Sequence, residues 1–192
     1  MCVLLATVVA PSAADEEGGS EDAGWPPLIA LTLGSDEPRR YVHLIEMRAD
    51  DLGDAAERLG HELDEVGNDW RRRSSILWAL YALREHAAPA RDAVARAIRQ
   101  NENPDDRNLP MRTLVRMGAD GVQPLVDVLG SERAELRDRA IGALGAIGPS
   151  AVKPLVDLLR GSEPPVRWDV LGALAWLEDD ARAAGPDVLP LL

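Results

Sequence analysis

The sequence predicts an all-α fold, a right-handed α-solenoid of about five helix pairs followed by a C-terminal half-repeat. Three observations carry this. First, Val122-Gln-Pro-Leu-Val-Asp-Val-Leu129 returns thirty residues later as Val152-Lys-Pro-Leu-Val-Asp-Leu-Leu159. A fixed period of that size marks stacked supersecondary units. Second, an arginine recurs at Arg40, Arg73, Arg107, Arg137 and Arg167, spaced by 33, 34, 30 and 30 residues. Seven positions after each stands Met47, Leu80, Leu114, Leu144 or Leu174, and four positions after each stands Leu44, Leu77, Met111, Ile141 or Leu171. Offsets of four and seven share one helical face, so each unit's second helix carries the same apolar stripe. Third, no stretch alternates apolar and polar residues for long enough to read as a strand.

Composition agrees with closely packed helices. Apolar residues make up 46% of the 192, enough for a sizeable core. Phe is absent, so Leu, Ala and Val supply most of that core. The net charge of −12 is uneven: residues 15–65 hold 15 acids and 4 bases, residues 66–192 hold 18 and 17. An acidic chain is repelled by phosphate backbones, which disfavours nucleic acid as a partner. Cys2 is the one cysteine, so a disulfide framework or thiolate metal cluster within the chain is excluded.

Residues 1–14 read as a signal peptide remnant: a short apolar run, then Ser12-Ala13-Ala14 as a cleavage site before Asp15. The departure is the lack of a basic residue ahead of the run. The expected location is periplasmic or secreted, otherwise cytoplasmic. The run is too short to span a membrane, which takes about 20 apolar residues. Residues 15–24 are acidic, Gly-rich and free of large apolar groups, the composition of a disordered linker. The solenoid is expected over 25–192.

Its first unit opens at Pro27. Pro27-Leu-Ile-Ala-Leu-Thr-Leu-Gly34 aligns without gaps on Pro154-Leu-Val-Asp-Leu-Leu-Arg-Gly161. The second unit covers 51–87; its first helix shows the stripe Leu52, Ala55, Ala56, Leu59, Leu63 and Val66. The third covers 89–118, and the fourth and fifth are the two clear copies. Asp36, Asp69 and Asn103 stand where second helices need N-caps, with Pro38, Pro104 and Pro165 in or near first turns. Gly118 and Gly148 close second helices where a left-handed residue is favoured. Asp50 breaks the stripe where other units have Leu83, Met117, Ile147 and Leu177, marking the first unit as a terminal, less regular repeat. Pro186-Asp-Val-Leu-Pro190 restarts a first helix without a partner helix, a half-repeat whose leucines offer a route to self-association.

The Pro-Leu-Val-Asp-Leu-Leu first helix, the Gly-Ser-Glu-Pro-Pro-Val-Arg167 turn and the Ala-Leu-Gly-Ala-Ile-Gly148 ending resemble HEAT-like repeats, over residues 26–192. The variety resembled is the short one of about thirty residues, typical of bacterial proteins and seen also in phycobilisome lyases; longer HEAT units run ~40 residues. The resemblance implies that the turn acid and the repeated arginine make contacts between units, a structural role for Arg40, Arg73, Arg107, Arg137 and Arg167. It also implies that second helices line a concave partner-gripping surface.

Catalytic chemistry finds little support. His43, His61 and His86 lack metal-ligand spacing, and His43 falls in the column of Ile76, Ala140 and Val170, a core or boundary place. Asp105-Asp106 and Glu178-Asp-Asp180 are expected in turns as solvated charges, not as an acid–base pair in a dry pocket. Ser74-Ser75 has no adjacent base, and no Gly-rich phosphate loop follows a strand. The reading is therefore no enzyme, no cofactor and no metal. Arg71-Arg72-Arg73 beside Trp70 is the one basic patch, and HEAT-like folds include alkylpurine DNA glycosylases, so a DNA-binding module is one alternative. A chromophore-lyase-like binding protein is another, by resemblance alone. The leading expectation is a non-catalytic scaffold that holds a protein or peptide through Tyr41, Trp78, Tyr81 and Trp168, aromatic residues on the variable side of second helices. The competing reading has Trp78 and Trp176 filling gaps between units.

Overall fold

A computed structural model describes residues 25–52, 54–100, 108–161, 164–182 and 184–191. The signal peptide and linker expected over 1–24 lie outside the described residues, as do Arg107, Asn103, Pro104 and the Asp105-Asp106 pair. Among the described residues all regular structure is helical. The α-helices are α1 (Pro27–Leu33), α2 (Val42–Glu46), α3 (Ala49–Leu52), α4 (Ala55–Glu65), α5 (Trp70–Leu83), α6 (Arg91–Gln100) and α7 (Leu109–Arg116). They continue as α8 (Val122–Val128), α9 (Ala134–Ile147), α10 (Val152–Gly161), α11 (Pro164–Trp176), α12 (Glu178–Arg182) and α13 (Gly185–Val188). Helix pairs α4/α5, α6/α7, α8/α9 and α10/α11 pack within units.

Across units the elements form two layers, the architecture of a HEAT-like solenoid. Second helices α2, α5, α7, α9 and α11 each pack on the next, and first helices α4, α6, α8 and α10 do the same. The half-repeat helix α13 continues the first-helix layer by packing on α10. Glu46 on α2 reaches Arg116 at the end of α7, across the intervening unit. Side chains two units apart can meet only on the inside of a curve, so the second helices line the concave face.

The stripe explains the layers. Leu77, Leu80 and Leu83 on α5 are fully buried, as are Leu114 and Met117 around α7, with Met111 buried beside them. Each such side chain contributes about 1.5–3 kcal/mol by leaving water. Leu52 on α3 and Ala55, Ala56, Leu59 and Leu63 on α4 bury the face expected of the second unit's first helix. The core runs continuously from Trp25 to Ala184. Trp25 starts it, nearly buried beneath the Arg58 guanidinium 3.8 Å from its ring centre. Gly118 (φ 64°) and Gly148 (φ 84°, ψ −144°) both take positive φ after second helices, Gly148 in the mirror-extended region open to glycine and not in the left-handed helical one. At Gly121 the reason for glycine is close approach: a Cβ there would stand 2.0 Å from the Leu114 carbonyl oxygen.

The first unit departs from the predicted stripe. Leu44 and Met47 are exposed, Met47 to 69%, and the buried positions are Ile45 on α2 and Ala49 at the start of α3. The buried face has shifted because Pro38–Tyr41 is a 3₁₀ turn and α2 ends at Glu46, before α3 begins at Ala49. Three residues per turn rotate everything after it relative to an α-helix. The same shift places His43 in solvent, 3.9 Å from Glu46, and not in the core or at its boundary. Asp36 does not cap this turn; the Ser35 hydroxyl accepts from the Glu37 amide instead. Asp69 does cap α5, its carboxylate accepting from the Arg71 and Arg72 amides at 3.0 Å each. The acids at 178–180 lie on a helix, α12, where turns were expected.

Two of the repeated arginines, Arg73 and Arg137, do a local job beside or instead of the inter-unit contact that the resemblance implies. Arg73 donates to the Gly67 carbonyl and Arg137 donates to the Ser131 carbonyl, in each case six residues back in the turn that leads into its own helix. Side chains in a helix lean toward its N-terminus, so a first-turn guanidinium meets its own turn before it meets a neighbouring unit. Arg40 pairs locally with Glu37. Arg137 alone of these three also crosses between units, to Asp169 at 2.5 Å.

Candidate functional site on the concave face

The site is built on α5 and α7. With Ile76, Leu77, Leu80 and Leu83 committed to the core, Trp78 and Tyr81 fall three residues apart on the adjoining concave face. Their rings meet edge to face, 5.4 Å between centres at 72°. On α7 Arg112 and Arg116 are four residues apart and share a face. The Arg112 guanidinium lies 5.7 Å from the centre of Trp78 and 5.1 Å from that of Tyr81. Arg116 lies 5.0 Å from Tyr81 and is ion-paired with Glu46. From the first unit's 3₁₀ turn Arg39 approaches Trp78 at 5.8 Å. Trp78 thus has a guanidinium from the unit before it and another from the unit after it. Each such contact is worth about 0.5–1 kcal/mol at an exposed site.

Two hollows adjoin this cluster and share Asn108 and Arg112. One, of about 750 Å³, runs from Asp36 and Arg39 past Ser74 and Trp78. The other, of about 340 Å³, lies between Tyr81, Met111, Arg112 and Val115 on one side and Gly142, Ala143 and Ala146 on the other. It exists because the repeat changes residue size. Five positions after the repeated arginine stand Trp78, then Arg112, then Gly142; nine positions after it stand Ala82, then Arg116, then Ala146. Large side chains in the third unit face almost none in the fourth.

Of the four aromatic residues expected to bind a partner, Trp78 and Tyr81 come together. Tyr41 is half-buried against the core and lines neither hollow. Trp168 is 75% exposed on α11 and lines neither hollow. Trp78 is half-buried, as the gap-filling reading requires, but Trp176 is 70% exposed although its Cβ abuts Gly145. Arg39, Arg112 and Arg116 are the functional candidates that sequence reasoning missed. Comparing the fifth and ninth positions after each repeated arginine across units would have found the latter two, since they break columns otherwise filled by apolar residues or glycine.

The basic run beside Trp70 does not form a common face. Arg71 lies over Trp70 and 3.7 Å from Asp36, Arg72 pairs with Glu62 at 2.5 Å, and Arg73 serves the Gly67 carbonyl. Among the described residues no three His, Cys, Asp or Glu are placed to share a metal ion, and no helix is long and apolar enough to cross a membrane. His61 and His86 sit beside Glu65 and Asp50 respectively.

Compared with known families, residues 122–192 match the HEAT repeats. No curated protein matches the chain.

Proposed function

With residues 122–192 belonging to the HEAT repeats, which typically serve as non-catalytic protein-interaction scaffolds, we propose that this chain holds a peptide segment of a partner protein along its concave face. The observation that carries the reading is the Trp78–Tyr81–Arg112 cluster opening onto two adjoining hollows. Trp, Tyr and Arg are the residue types that dominate interface energies, and they do so where they cluster centrally. Here they sit at the middle of the stack, on helices anchored by fully buried leucines, so little ordering has to occur on binding.

Panning a random linear peptide display library on the full chain tests this. Enriched peptides should bind in solution, and Trp78→Ala with Tyr81→Ala should weaken them about 30-fold or more, the effect of losing ~2 kcal/mol of aromatic contact. Helicity should be unchanged. Panning that enriches nothing, or peptides indifferent to both substitutions, would overturn the proposal. Tyr41→Ala and Trp168→Ala should have much smaller effects, since neither residue lines the hollows.

A further inference from the structure

Resting on the peptide-holding reading above, we propose that the segment recognised is acidic and carries one large apolar side chain, with carboxylates on Arg39 and Arg112 and the apolar group in the hollow over Gly142.

Charge is the first reason. The residues lining the two hollows include five arginines, Arg39, Arg40, Arg112, Arg116 and Arg139, against two acids, Asp36 and Glu37. This strip is positive in a chain of net charge −12. Most of its charges are already committed: Arg40 to Glu37, Arg116 to Glu46, Arg139 to Glu135, and Asp36 toward Arg71. Arg39 and Arg112 have no carboxylate partner among the described residues; each instead approaches the Trp78 ring, and Arg112 also makes a long 3.4 Å contact with the Tyr81 hydroxyl. A guanidinium held against a ring keeps its in-plane donors open, the geometry that receives a carboxylate side-on.

Glycine in the wrong place is the second reason. Gly142 lies in the middle of α9, where glycine is the poorest helix former after proline. Nothing lies within 4 Å of where its Cβ would be, so no packing neighbour requires glycine there. What Gly142 does is keep the 340 Å³ hollow empty, together with Ala143 and Ala146. That volume is at the small end for ligand sites, the scale of a side chain and its backbone, and its walls Met111 and Val115 are apolar. Nucleic acid would meet the same arginines, but it would gain nothing from an aliphatic hollow and would be repelled by the rest of the chain.

Fluorescence anisotropy with the full chain decides the matter. The probes are fluorescein-labelled dodecapeptides: aspartates and glutamates around a central leucine, the same with serine for leucine, the same with lysines for the acids, and a labelled single-stranded DNA 12-mer. The acidic leucine peptide should bind at least tenfold more tightly than the other three and weaken as salt rises. Arg112→Glu should reduce its affinity at least 30-fold and Arg39→Glu at least fivefold. Gly142→Leu should bring it down to the serine peptide's level while leaving thermal stability equal or higher, so that loss of binding is not loss of fold. Equal binding of the lysine peptide, tighter binding of the DNA, or indifference to Arg112→Glu and Gly142→Leu would overturn the proposal. So would binding that emerges only after Asp15, Glu16, Glu17, Glu21 and Asp22 are changed to their amides, because the chain's own segment would then be the occupant. Uncharged peptides that bind through Trp78 and Tyr81 would remove the acidic assignment and leave the scaffold reading intact; a library that enriches nothing removes the scaffold reading first.

Discussion

Arg84 stands eleven residues after Arg73, the place occupied by Gly118 after Arg107 and by Gly148 after Arg137. All three have positive φ, and Arg84 (φ 55°, ψ −129°) adopts nearly the conformation of Gly148 (φ 84°, ψ −144°). That region is natural to glycine and costs another residue of the order of 1–3 kcal/mol. The Arg84 side chain gains only a half-exposed contact with Glu46 at 3.8 Å, which offsets little. Arg84→Gly is therefore expected to stabilise the fold by about 1 kcal/mol once glycine's extra freedom in the unfolded chain is subtracted, raising Tm by about 2–4 °C. A differential scanning calorimetry trace with Tm unchanged or lower would contradict this. The glycines at 118 and 148 were legible as helix closers because sequence and conformation agree there. Arg84 was not, since nothing about an arginine announces a positive φ until it is placed in its column.

At the scale of helices, the sequence stripe located α4, α5, α7, α9 and α11, because each begins as a true α-helix and keeps its phase. It failed on α2, where Pro38 opens a 3₁₀ turn and rotates the face that follows. Arg112 is hidden from the same pattern, because an arginine lying on an aromatic ring belongs neither to an apolar stripe nor to a set of exposed aromatics. Neighbouring first helices carry a further contact that pattern reading could not supply. Arg96 on α6 donates to both carboxylate oxygens of Asp64 on α4, at 2.8 and 2.6 Å. That hydrogen bonding holds the Asp64 carboxyl below the ordinary carboxylate value. A lowered native value means that the pair's stabilisation is complete above the unfolded value of about 3.9 and is lost as pH falls through the native one. Both side chains are more than a third exposed, so screening limits the effect. Asp64→Asn should cost roughly 0.5–1 kcal/mol at pH 7, and urea titrations at falling pH should show the gap to wild type narrowing below about pH 4.5. A gap that widens toward acid would rule out the assignment.

Over the whole molecule, each unit leans on its neighbours and the core is one continuous strip, so stability is carried by interfaces between units more than by any unit alone. The period read from five arginines gave this organisation directly; the concave site depends on residue differences between units, which a search for sameness passes over. The last described helices are held less firmly than the middle of the stack. At the C-terminus α12 and α13 are single turns, α13 rests on α10, and Leu189 beyond it is 70% exposed. In the middle, Leu114 is fully buried on α7, which packs on α5, α6 and α9. Leu114→Ala should cost about 2–5 kcal/mol, the range for a truncated buried leucine. By hydrogen exchange that loss should lower protection across α5, α7 and α9 together, because their shared interface is what has been cut. Val188→Ala, on α13, should raise exchange in α13 and α10 while leaving α5 and α7 as they were. If Val188→Ala instead weakened α5 as much as Leu114→Ala does, the stack would be one cooperative block from end to end. The local coupling that follows from neighbour-only packing would then be refuted, and a partner held between α5 and α9 would feel damage anywhere along the chain.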